Sequence, residues 1–297
     1  MAGTGRSGST VLANLLGETP GCVSVGELRY VWSRGLVEDR LCGCGEPFSG
    51  CPFWGQVRDR LEPDECAGAR LATLLRIRRL PRLLLRRPDR LRADLGPLAA
   101  ALTGLYAAID QVQPGVIVDS SKLPSYARLL ESLPELEVTV VHLVRDPRAA
   151  AFSWTRHKPL TDKKVPAVME RRGAVKSTAL WLLWNGLLGR RAGRARYVRL
   201  RYEDLVADPA GAIARILAVA GLDPQAPPTL AADGRSVRLG VHHTVAGNPA
   251  RMAQGTTPLR LDDEWRTAMP RPDRMLVTAG AAPLMRRYGY RLRRGIR

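Results

Sequence analysis

Short, β-branched apolar runs alternate along this chain with longer stretches in which apolar residues recur every three or four positions. The runs predict strands over Cys22 to Val25, Val116 to Val118, Val138 to Val144 and Tyr197 to Leu200. The periodic stretches predict helices over Thr10 to Leu16, Leu98 to Gln111, Tyr126 to Glu131, Ala149 to Trp154, Ser177 to Leu188 and Ala210 to Ala220. Alternation of this kind implies an α/β fold of three layers, a P-loop-like parallel sheet flanked by helices. Residues 1–297 read as a single domain. Open sheets of this type bind ligands at the carboxyl ends of their strands, and each predicted strand ends where the chemically interesting residues begin.

Two stretches depart from that pattern. Residues 71–93, LATLLRIRRLPRLLLRRPDRLRA, interleave leucine and arginine with two prolines, which predicts a pair of short basic amphipathic helices within an insertion at 67–97. Three roles compete for it: leucines packed on the main domain, a lid over an acceptor site, or contact with an anionic membrane surface. At the other departure, only Met1 and Ala2 precede Gly3, where a buried strand should feed a phosphate-binding loop. The first strand is therefore expected to be truncated, with a natural start upstream of Met1 favoured over a sheet lacking its central strand. Pro227 and Pro228, within Gln225 to Asp233, read as a surface loop.

Composition narrows the partners. The chain of 297 residues is 45% hydrophobic, enough for a substantial core, and carries a formal net charge of +18. That charge favours anionic partners, although arginine spread through an Ala-, Leu-, Gly- and Pro-rich chain also fits a compositional habit of the source genome. No apolar run reaches the length of a membrane span and no signal peptide opens the chain, so a cytoplasmic location is expected, with peripheral membrane contact through 71–93 as a variant. Five cysteines argue against a disulfide framework. Three of them cluster in CGCGEPFSGCPFW, at Cys42, Cys44 and Cys51, but a structural zinc needs four ligands. Cys66 and His157 are the loose candidates for the fourth, so reduced thiols packed beside Phe53 and Trp54, and no metal, are expected.

The opening GTGRSGST nearly spells the loop G-x-x-x-x-G-K-[ST], with Gly3, Gly8 and Thr10 in place but Ser9 where the lysine belongs. Without that lysine the γ-phosphate clamp is gone. A nest of amides at a helix N-terminus remains, with hydroxyls from Ser7, Ser9 and Thr10 and a cation at Arg6. A second anion signal lies in VTVVHLVRDPRAAAFSW, where a strand delivers Arg145 and the following helix carries Ser153. Pairing of Arg145 and Asp146 with neighbours at a helix start is the structural alternative. Two separated anion sites on one sheet call for a ligand with two anionic ends.

These two signatures resemble those of the sulfotransferases that use 3′-phosphoadenosine 5′-phosphosulfate, in the branch, including carbohydrate sulfotransferases and many bacterial relatives, that carries arginine in the first loop. The likeness extends through VDSSKLPSYARLL, RYEDLVADP and HHTVAGNPARMAQG, nearly the whole chain apart from the basic insertion. It implies that Gly5, Arg6, Ser7, Gly8, Ser9 and Thr10 hold the 5′-phosphosulfate, that Arg145 and Ser153 hold the 3′-phosphate, and that Gly247, Asn248 and Arg251 belong to a late loop closing over the nucleotide. Sulfuryl transfer from that donor needs no Mg²⁺, and Arg6 would take the charge-stabilising role. The acceptor is expected to be a carbohydrate, a glycolipid or a small metabolite.

An acceptor hydroxyl must lose its proton, and Glu27, ending the second predicted strand before Trp32, is the expected base, as in related sugar sulfotransferases. A plain ion pair of Glu27 with Arg29 or Lys122 is the alternative. Lys122 would neutralise sulfuryl oxygens or orient the acceptor. His243 is the second-choice base, His142 a core histidine, Asp119 a network residue, Trp181 and Trp184 core, and Glu203 and Asp204 organisers of a turn. Rival functions are a P-loop kinase or NTPase, against which Ser9 speaks, and a noncatalytic basic protein on nucleic acid or membrane. The chain has no recognisable nucleic-acid-binding module.

Overall fold

The computed structural model describes residues 1–157, 159–162, 167–225, 230–231 and 234–292. Parallel strands β1 (Ala2–Gly3), β2 (Cys22–Gly26), β3 (Val116–Asp119) and β4 (Val140–Val144) precede two short strands, β5 (Pro159–Leu160) and β6 (Ala167–Val168), that pair antiparallel. After them come β7 (Tyr197–Arg201) and an antiparallel pair, β8 (Ser236–Leu239) and β9 (Gly255–Pro258). In space β2 pairs with β3 and β1–β4–β7 form a second parallel group. A parallel bridge from Ala2 to Lys122 joins the groups, giving the order β2, β3, β1, β4, β7.

The central strand is therefore present, but only two residues long. Gly3 N–H donates to the Lys122 carbonyl at 2.8 Å on one side while Ala2 and Gly3 pair with His142 and Leu143 on the other. Helices Ser9–Gly17 and Pro209–Ala220 cover one face through Leu12, Leu15, Ile213 and Ile216. The larger core includes helices Pro52–Arg58 and Pro97–Val112 and the inner side of β2.

The basic insertion forms three short helices, Ala67–Leu74, Leu80–Leu85 and Pro88–Leu95, rather than two. Pro81 and Pro88 each sit in the first turn of a helix, where the missing N–H costs nothing, so prolines start these helices instead of breaking them. Leu71, Leu83 and Leu91 are buried in the main core, the packing role among the three that competed. The insertion does not line the cavity described below. The loop expected over 225–233 lies largely outside the described residues. Among the described residues no helix is long and apolar enough to cross a membrane.

His142 is a core residue, as expected. Its Nδ1 lies 2.6 Å from Tyr197 Oη and its Nε2 2.9 Å from Asn185 Oδ1, partners that the neutral ring satisfies by accepting from the hydroxyl and donating to the amide oxygen. Burial draws its pKa from 6.5 down to about 4, against the Asn185 hydrogen bond and with Arg199 assisting. Between those values the unfolded chain takes up a proton that the folded one refuses, so stability falls as pH drops through the window. The loss should total ~3 kcal/mol. Urea unfolding at stepped pH should show the gap between wild type and His142→Gln narrowing as pH falls from 6.5 to 4; a constant gap would count against a neutral buried ring.

Candidate active site

A cavity of about 610 Å³ opens at the carboxyl ends of the parallel strands. Gly5, Arg6, Gly8, Ser9, Thr10, Glu27, Lys122, Arg145, Ser153, Gly247 and Asn248 all line it, so the fold gathers eleven of the expected residues in one place. Ser7 and Arg251 are the exceptions. Ser7 is buried beneath the loop. Arg251 is not a cavity residue: its guanidinium donates to the Thr244 and Leu41 carbonyls, each at 2.6 Å, and faces Asp162. Its loop neighbours Gly247, Asn248 and Ala250 reach the cavity instead.

The loop turns on residues with left-handed backbone. Gly8 has φ 90°, and a Cβ there would lie 2.2 Å from the Tyr202 ring. A Cβ on Gly5 would meet Trp154 at 2.5 Å, so both glycines are set by close approach of an aromatic ring. Arg6, at φ 66°, occupies the same backbone region with a side chain attached, a costly conformation of the kind that persists where surrounding contacts hold it. Its guanidinium stacks over Trp154 at 4.9 Å. Burial, then Arg172, lowers its pKa, against Glu27.

Arg145 leaves β4 with its guanidinium over Tyr202 at 4.7 Å, and Trp181 Nε1 fixes its carbonyl at 2.9 Å. Its Nη1 donates to the Arg6 carbonyl at 3.2 Å and its Nη2 faces Asp262 at 3.1 Å. The structural alternative holds for Asp146, which caps its own helix and pairs with Arg148, whereas the partner of Arg145 is Asp262 and not a neighbour at the helix start. Asp262 also accepts from Arg156 at 2.7 Å, so an anion at Arg145 must share the guanidinium with this carboxylate. Asp262, Arg172 and Arg34 lie outside the sequence motifs, and Trp154 and Tyr202 lie within them without having been singled out; the fold brings all five here.

Glu27 sits 8% exposed at the end of β2 and pairs with both Lys122 and Arg29, the latter at 3.2 Å. The ion pair and the cavity position coexist. Burial pushes the Glu27 carboxyl up, but Lys122, Arg29 and Arg34 outweigh it and leave its pKa below 4.5. Lys122, at φ 69°, has its own pKa lowered by burial against the pull of Glu27. Asp119 accepts from Tyr106 Oη at 2.7 Å and from Ser121, which makes it a network residue. Glu203 caps the Asp146 N–H at 3.0 Å and accepts from Tyr290. His243, the second-choice base, lies outside the cavity.

The lining holds seven basic side chains against three carboxylates, so the cavity suits an anion. Among the described residues that line this cavity, Arg6 Nε and Nη1 and Arg145 Nε are buried without a hydrogen-bond partner. Buried donors of this kind usually find partners, and phosphate or sulfate oxygens would supply them. A larger cavity of about 1460 Å³, bordered by Met1, Tyr106 and Tyr126, has more carboxylates than cations along its edge and does not offer such a site.

Similar solved folds include the sulfotransferase domain of the Synechococcus PCC 7002 olefin synthase, at 22% identity and a TM-score of 0.54, covering 98% of this chain and 94% of that one. The sulfotransferase domain of the curacin biosynthetic pathway aligns at 18% identity and a TM-score of 0.55, covering 98% and 97%. No curated protein matches the chain. The profile of the Sulfotransferase family matches residues 1–226, from the glycine loop past the second arginine and the turn at Glu203, and the chain belongs to that family.

Proposed function

We propose that this protein transfers a sulfuryl group from 3′-phosphoadenosine 5′-phosphosulfate to the hydroxyl of a carbohydrate, glycolipid or small metabolite. The observation that carries the reading is the meeting of a lysine-less phosphate loop, Arg145 with Ser153, and a paired carboxylate at one cavity. The donor supplies an activated sulfur bonded to a good leaving group. The loop amides and the hydroxyls of Ser9 and Thr10 would hold its 5′-phosphosulfate, and Arg145 with Ser153 its 3′-phosphate.

Glu27 is the base in this scheme. Its pKa lies below 4.5, so at neutral pH it is ionised and ready to accept a proton. As the acceptor oxygen bonds to sulfur and the sulfur–oxygen bond to the nucleotide phosphate breaks, Glu27 takes the hydroxyl proton. Arg6 and Lys122 face the charge that builds on the sulfuryl and bridging oxygens. The leaving electron pair stays on the 5′-phosphate.

Calorimetry with 3′-phosphoadenosine 5′-phosphate tests the second clamp. Losing a charged, hydrogen-bonded contact of ~2–3 kcal/mol should weaken binding to Arg145→Ala by roughly 30- to 150-fold. Ser153→Ala should lose less. Unchanged affinity in Arg145→Ala would remove the clamp from the scheme, and with it the choice of this nucleotide.

A further inference from the structure

On the far side of β2 from the glycine loop, one ligand atom each from Cys42, Cys44, Cys51 and His243 lies within 4.8 Å of the other three. His243 Nδ1 is 3.3 Å from Cys51 Sγ and 4.0 Å from Cys42 Sγ. Zinc bonds of ~2.3 Å to sulfur and ~2.0 Å to nitrogen in a tetrahedron put ligand atoms roughly 3.5–3.8 Å apart. Small side-chain rotations close the difference. We propose that Cys42, Cys44, Cys51 and His243 Nδ1 bind a structural zinc ion.

The expectation of no metal rested on a missing fourth ligand, and neither of its candidates joins the cluster. Cys66 is exposed and His157 pairs with Arg171. The fourth ligand comes instead from about two hundred residues along the chain. Three thiolates and an imidazole are a soft donor set that selects zinc over the harder cations. Four protein ligands leave no open position, which makes the site structural rather than catalytic.

The backbone around the cluster is built to hold such a knuckle. Cys42 N–H donates to the Glu46 carbonyl at 2.8 Å, and Gly45 N–H returns to the Cys42 carbonyl at 3.0 Å, closing a tight turn. Gly43 N–H bonds the Thr244 carbonyl at 3.0 Å, and a Cβ on Gly43 would lie 2.3 Å from both the His242 carbonyl and Thr244 Oγ1. Only glycine lets the turn lie this close to the segment that carries His243. The His243 ring stacks on Phe53 with planes 6° apart, and its carbonyl accepts from Trp54 Nε1 at 2.8 Å, so Nδ1 is aimed at the sulfurs before any metal arrives. Three thiolates around Zn²⁺ leave one net negative charge. Arg251, bonded to the carbonyls of Leu41 and Thr244 beside two of the ligands, is the buried cation placed to offset it.

The metal would also bind the late loop to the sheet. Val245 N–H pairs with the Val25 carbonyl and Glu27 N–H with the Ala246 carbonyl, so the residues after His243 run along β2 and deliver Gly247 and Asn248 to the cavity. The proposal does not depend on the reaction assigned to that cavity.

The test is metal content of the full chain, expressed with added zinc, stripped of loosely held ions and analysed by inductively coupled plasma mass spectrometry. About one zinc per chain is expected, released as the thiols are titrated with an organomercurial. The double variant Cys44→Ser with His243→Ala should hold less than about one-tenth of that amount. Should the variant not fold, Co²⁺ exchanged into the wild type decides the matter, since a tetrahedral thiolate site gives intense visible bands. A folded wild type without zinc, weak bands of octahedral cobalt, or the mass of a disulfide-linked chain would each overturn the proposal.

Discussion

Glu27→Gln should bind 3′-phosphoadenosine 5′-phosphate almost as wild type does while its sulfuryl transfer falls by ~10²–10⁴-fold, the range for loss of a positioned general base. The amide keeps the shape of the carboxylate but accepts no proton. It also leaves Lys122 and Arg29 without their shared counter-charge, so a thermal unfolding measurement must accompany the assay. The pH profile separates chemistry from folding. Because Lys122, Arg29 and Arg34 outweigh burial and hold the carboxyl below 4.5, the wild-type rate should stay flat through neutrality. It should drop only as pH falls through that lowered value, and in the variant this acid limb should be missing. A fully active Glu27→Gln would move the base elsewhere.

Arg6→Ala should lose ~10²–10³-fold in kcat, the cost of removing one preorganised donor from developing negative charge. Nucleotide affinity should suffer much less, because the loop amides and Arg145 remain. Arg6→Lys should recover little. An ammonium cannot lie flat on Trp154, nor present the planar fork whose Nε and Nη1 are buried without partners. Rates measured at saturating donor and acceptor would decide, and a lysine variant near wild-type turnover would reduce Arg6 to a simple point charge.

Most of the sheet was legible because its strands are short apolar runs, β2 and β4 buried on both faces and β7 alternating between buried and half-buried positions. Val140–Val144 and Tyr197–Arg201 fall within the stretches read from apolar runs or one residue beyond. Helix Arg271–Arg287 was not legible: it buries Val277, Ala281 and Met285 only, a stripe of one residue per turn, and carries Pro283 inside. Arg251 was misplaced because its motif shows the loop but not which way a side chain leaves it; a buried Asp162 and two carbonyls claimed the guanidinium. Trp154 and Tyr202 were invisible as site residues for a related reason. Their role is to lie against Gly5 and Gly8, a contact made across the fold. The same distance hid His243 from the cysteines.

Lys122 serves two structures at once. Its carbonyl accepts from Gly3 and its N–H donates to Met1, which fastens the strand feeding the glycine loop, while its ammonium holds Glu27. Movement of one is therefore transmitted to the other through a single residue. If the loop holds the proposed donor, settling the loop would also settle the carboxylate, and the expected order of addition is donor first, acceptor second.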